Sequence, residues 1–168
     1  DAIVYRTPLA GESPVASIAY VGGSLVDLAR EWSDIDVVHA HGVLSPATIA
    51  LVASLFGKPC VVTPLGSGAP GDLTRLRRKP AGQRRLSSLV RRAHFVALSN
   101  EIAGELRDAG VPPARVWHLP NGVDIDAHQP LDAEARSRRR HALGYRDADF
   151  VGVFVGRLHP VKRVDVLL

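Results

Sequence analysis

IDVVHAHGVLSPATIALVASLFGKPCVVT, residues 35–63, decides the fold. An apolar run from Ile35 to Ala40 leads to Ser45, suited to the N-cap, and to Pro46, suited to the first helical position. Gly57 stops the apolar helix that follows, and Cys60 to Thr63 restarts a strand pattern. Strand, returning helix and strand make a crossover between parallel strands. The pattern repeats outward, with further strands expected at residues 2–6, 95–98, 116–119 and 150–155. A helix is expected over 14–32, where Ile18, Val21, Leu25, Leu28 and Trp32 step by three and four behind Ser13 and Pro14. Others are expected over 100–109, after Ser99 and before Gly110, and over 132–143, before Gly144. A further helix at 74–92 is interrupted at Pro80 and Gly82. The expected class is therefore α/β with a parallel sheet.

At Pro120-Asn121-Gly122 a strand stops in a turn, and polar sequence follows until Phe150. This places a first domain at 1–120, a connection at 121–149 and the opening strand and helix of a second domain at 150–168. The chain has 168 residues, 46% of them hydrophobic and 23% charged, which excludes disorder, collagen and a coiled coil. With Asp1 first and no methionine, it reads as an internal piece of a longer protein. No apolar run approaches the roughly 18 residues of a membrane span. The lone Cys60 forms no internal disulfide and favours a reducing compartment, so a cytoplasmic setting is expected.

Several stretches could carry chemistry. Residues 66–71 spell G-x-G-x-x-G after a strand, but Pro64 and Pro70 spoil the tight turn of a dinucleotide site and no acidic residue follows at the ribose position. What survives is a backbone-exposing loop at the carboxyl end of a strand, where open α/β sheets bind ligands. His39 and His41 end another strand. They are read as projecting to opposite faces, one packing inside while His41 reaches the cleft, so no zinc pair is assigned. The Asp-x-Asp strings at 34–36, 124–126 and 147–149 are not assigned to a metal; the last two are expected to serve in turns and caps. Arg157 and Lys162 follow the 150–155 strand, where a phosphate would meet both cations.

The net charge is +4, and among 21 basic residues only Lys58, Lys79 and Lys162 are lysine. Cations crowd residues 75–92, which opens a competing reading: a non-catalytic arginine-rich module for an anionic membrane or nucleic acid. The segment has no aromatic residue to stack a base, which counts against nucleic acid.

Asp36-Val37-Val38-His39-Ala40-His41-Gly42, Ala97-Leu98-Ser99-Asn100-Glu101-Ile102, Pro120-Asn121-Gly122-Val123-Asp124 and Phe154-Val155-Gly156-Arg157-Leu158, with Lys162 five beyond Arg157, together resemble glycosyltransferase family 4 of the GT-B enzymes. The resemblance implies two Rossmann-like domains facing a cleft, with the acceptor held mainly by the first and a nucleotide-sugar donor mainly by the second. It implies retaining transfer to a hydroxyl of a carbohydrate, lipid-linked or small-molecule acceptor, without metal or cofactor, the nucleotide sugar being a substrate. Arg157 and Lys162 then grip the donor diphosphate as catalytic cations, residues 120–124 form the hinge, and His41, Gly66, Gly68 and Asn121 bind substrate. Where the family has Thr-x-His-Gly this chain has Thr63-Pro64-Leu65-Gly66, so the backbone of 66–68 is expected to line the site. Peripheral contact with the anionic cytoplasmic membrane face is expected from the arginines.

Overall fold

The computed structural model describes residues 13–166; the strand expected at 2–6 lies outside them. Two compact units divide the chain, Asp1–Asn121 and Gly122–Leu168.

The first unit alternates helix and strand. Helix α1 (Pro14–Arg30) begins where the Ser13 hydroxyl accepts from the Ala16 amide at 3.1 Å. There follow β1 (Val38–His41), α2 (Ser45–Leu55), β2 (Cys60–Thr63), α3 (Asp72–Arg77), α4 (Gly82–Arg92), β3 (His94–Ala97), α5 (Asn100–Asp108) and β4 (Val116–His118). The strands form one sheet in the order β1-β2-β3-β4, every pair parallel. Register sets Ala40 beside Val62, Val62 beside Phe95 and Phe95 beside Val116, so these residues share a face. That face packs against Ala47 and Ala50 of α2, Leu76 of α3, Leu86 and Leu89 of α4, and Ile102 and Leu106 of α5 in one buried cluster. Each fully buried leucine or phenylalanine there contributes about 1.5–3 kcal/mol. The opposite face carries His39, Val61, His94, Val96 and Trp117, with the His94 and Trp117 rings stacked at 5.2 Å.

Punctuation shifts slightly from expectation. Leu44, not Ser45, caps α2, and its side chain makes no capping bond. The segment expected to be helical over 74–92 begins at Asp72 and is two helices, because Ala81, in left-handed conformation at φ 53°, turns the chain between them.

In the second unit α6 (Ala133–Ala142) starts at Asp132, whose carboxylate accepts from the Ala135 amide at 2.7 Å, and stops before Gly144 at φ 84°. Asp124 accepts from the amides of Asp126 and Ala127, a turn as expected. The strand expected at 150–155 is not formed: Phe150 is fully exposed and Val155 is 91% exposed. An apolar run becomes a strand only when a neighbour takes its backbone hydrogen bonds, and none pairs with it among the described residues.

Candidate functional site

Ligands of parallel α/β sheets sit beyond the carboxyl ends of the strands, and here the loops leaving β1 and β2 are tied together at that edge. The Gly42 amide, at φ 97°, donates to the Thr63 carbonyl at 2.8 Å. One carboxylate oxygen of Asp72, the first residue of α3, accepts from the Leu65 amide at 3.0 Å and the Val43 amide at 3.4 Å. It therefore pins both loops at once. From farther along the chain, Glu105 of α5 accepts from the Gly68 amide at 2.5 Å, and Arg85 of α4 donates to the Leu44 carbonyl at 2.7 Å and to the Thr48 hydroxyl.

The loop 64–71 folds back on itself and is tied to the helices that follow it. Gly68 has φ 72°, a conformation that favours glycine. A side chain on Gly71 would meet the Ser67 carbonyl carbon at 2.5 Å. Gly71 donates to the Gly68 carbonyl and Asp72 to the Gly66 carbonyl. With the Gly68 and Leu65 amides also spent, on Glu105 and Asp72, the loop offers fewer amides than the phosphate cradle of a dinucleotide fingerprint. The six-residue α3 behind it is also short for one.

His39 and His41 require a correction. Residues two apart on a strand share a face, and the two rings lie side by side with centroids 4.3 Å apart, both residues exposed. Neither packs inside. His39 Nε2 is 2.8 Å from the Thr63 hydroxyl, and with Tyr20, Ser24, Pro46 and Ile49 the pair lines a cavity of about 320 Å³. Desolvation first, and the neighbouring His41 second, hold the His39 imidazole below its ordinary range. The unfolded chain thus takes up a proton there near pH 6.5 while the folded chain resists it. This contribution to stability is present above that pH and lost as pH falls through the folded value. Denaturant unfolding at pH 7 and pH 5.5 is expected to show a drop that shrinks in His39→Gln; an unchanged drop would discharge His39 from this role.

His41 lies in register with Thr63, from which the loop bearing Gly66 and Gly68 departs, so these three share the strand-end edge. Asn121 is exposed in irregular chain at the end of the first unit. Arg157 and Lys162 are exposed in the second unit, where Lys162 closes the short turn Pro160–Lys162 through its amide on the His159 carbonyl at 2.8 Å. The opening α-helix expected there is absent among the described residues. Sequence reading missed Asp72, Glu105 and Arg85. An acid directly after a glycine loop at a helix start was a visible signal for Asp72; nothing local marks Glu105, which meets Gly68 from 37 positions away.

No helix among the described residues is long and apolar enough to cross a membrane. The family model for glycosyltransferase family 4 matches residues 2–127. The chain is 32% identical over 151 residues to a D-inositol 3-phosphate glycosyltransferase of Jonesia denitrificans, covering 84% of this chain and 35% of that protein. It is 31% identical over 166 residues to one of Geodermatophilus obscurus, covering 94% and 36%. A third, from Frankia alni, is 35% identical over 149 residues, covering 79% and 33%. The chain thus spans about a third of the length of these relatives. A parallel sheet whose strand-end loops are locked edge to edge, and a match over three quarters of the sequence, lead to one assignment: the chain belongs to glycosyltransferase family 4.

Proposed function

We propose that the protein carrying this chain transfers a sugar from a nucleoside diphosphate to an acceptor hydroxyl with retention of configuration. The family match over residues 2–127 carries this reading. The first unit takes the acceptor at the strand-end edge, where His41 and the 66–68 loop face it. Residues 121–149 connect to 150–168, which open the donor-binding domain and supply Arg157 and Lys162. Charge builds on the departing diphosphate in the transition state, and fixed cations aimed at it lower the barrier. These two side chains supply that neutralisation without a metal ion or cofactor. No carboxylate pair at the spacing of a sugar hydrolase is recognisable in the sequence, which favours transfer over hydrolysis. The relatives are named for D-inositol 3-phosphate, and a small phosphorylated polyol is the acceptor class we assign.

The test is a panel of nucleoside diphosphate sugars offered to the full-length protein with D-inositol 3-phosphate or unphosphorylated inositol. One donor is expected to raise the melting temperature and to yield product only with the phosphorylated acceptor. The 168 residues alone are expected to yield none. Absence of transfer with every donor would remove the enzymatic reading; equal use of both acceptors would remove the phosphate from it.

A further inference from the structure

The arginines of residues 75–92 do not form one site-directed cluster. Arg85 is turned inward, onto Leu44 and Thr48 at the carboxyl edge of the sheet. The far end of α4 lies at the opposite edge, where the Arg91 carbonyl accepts from Arg115, the residue just before β4, and the Arg92 carbonyl from the Cys60 thiol at the start of β2. Helix α4 therefore runs from one edge of the sheet to the other, about 16 Å at 1.5 Å per residue.

Its inner face is Leu86 and Leu89, both within 2% of full burial. Its outer face carries Arg84, Arg91 and Arg92, and the α3 end and the turn beyond it add Arg75, Arg77, Arg78 and Lys79, all exposed. None of these cations pairs with a carboxylate among the described residues. Asp72 is the sole acid from 72 to 93, and it is engaged by loop amides. The contrast with α6 is informative. That helix is also arginine-rich, yet Arg138 pairs with Glu134, His141 with Asp147, and Arg146 beside it with Asp149. Around α6 the carboxylates Asp132, Glu134, Asp147 and Asp149 offset most of the charge of five arginines, although Arg136 and Arg139 form no ion pair among the described residues; on α3 and α4 a single acid stands among the cations.

A single phosphate touches cations within a few ångströms of it, whereas these are spread along the whole helix. Only an extended anionic surface meets them together. The outer face offers serines between the cations and no aromatic ring, so base stacking has no platform. We infer that α4, with the turn preceding it, is a docking surface for an acidic phospholipid bilayer, held by electrostatic attraction to the lipid headgroups. The inference goes beyond the transfer reaction and is measured without a nucleotide sugar.

The experiment is co-sedimentation of the full-length protein with vesicles of phosphatidylcholine alone and mixed with phosphatidylglycerol, at low and high salt, with a single-stranded RNA oligonucleotide as competitor. Binding to the mixed vesicles alone is expected, weakening steeply with salt. Replacing Arg84, Arg91 and Arg92 together by glutamine is expected to weaken it roughly a hundredfold, since each cation near an acidic membrane contributes about fivefold. The triple change Arg136→Gln, Arg138→Gln and Arg139→Gln on α6 removes the same formal charge from a segment that holds the four carboxylates Asp132, Glu134, Asp147 and Asp149, and is expected to change binding far less. Circular dichroism of both variants should match the parent. Equal loss from the two triple variants, binding to neutral vesicles, no binding at all, or RNA bound in preference to acidic vesicles would each overturn the inference.

Discussion

Arg157→Ala and Lys162→Ala, each in the full-length protein, are expected to lower turnover of the nucleotide sugar by about 10²–10³-fold, the usual cost of deleting one fixed donor to developing charge. Both side chains are exposed, and neither forms an ion pair among the described residues. The melting temperature should therefore hardly move. The loss should appear in kcat more than in KM, because the diphosphate gains charge only as the sugar leaves. Arg157→Lys keeps the charge but loses the planar fork that fits two phosphate oxygens, and should recover only part of the rate. Steady-state kinetics with the donor identified by the stabilisation screen read all three. Near-normal turnover in both alanine variants would end the diphosphate assignment, and a collapse of melting temperature would show a structural role instead.

What the sequence made legible were features written within a few residues. Ser13 and Ser99 were recognisable as caps, and each accepts the amide three residues on; Asp132, read as the first residue of its helix, is the cap and does the same. Gly57, Gly110 and Gly144 were recognisable as helix stops, and each has φ between 84° and 89°. The strand at 60–63 was read to the residue because a central parallel strand is apolar on both faces. The run 150–155 is also apolar, yet whether it pairs depends on a neighbour that its own residues cannot specify. The histidine pair was misplaced for a different reason: its spacing of two sets both rings on one face, and the reading of one ring inward ignored that period. The ties that shape the candidate site lie beyond any local pattern. Glu105 reaches Gly68, Arg85 reaches Leu44 and Asp72 reaches Val43 only after the sheet has assembled.

The same side-chain change, glycine to alanine, is expected to have opposite signs at two positions of the first unit. A Cβ on Gly82 would stand 1.8 Å from the Leu76 carbonyl oxygen and 2.8 Å from its carbon. Those atoms are backbone of α3 and cannot swing aside as a flexible side chain would. The turn is also held on both sides, by the Gly82 amide on the Lys79 carbonyl at 2.8 Å and by Leu76 and Leu86, which are almost fully buried. Gly82→Ala must separate α3 from α4 and open the core beneath, at a cost at the upper end of overpacking, about 3 kcal/mol or more. A fall in melting temperature of about 10 °C is expected in the isolated chain. Gly104, inside α5, has nothing within 4 Å of the same added carbon. There alanine removes the entropy that glycine loses in a helix, and Gly104→Ala should gain up to about 1 kcal/mol. Thermal unfolding of both variants decides the matter. If Gly82→Ala melts with the parent, the close approach of α4 to the Leu76 carbonyl is wrong, and with it the turn that sets the cationic face of α4 outward.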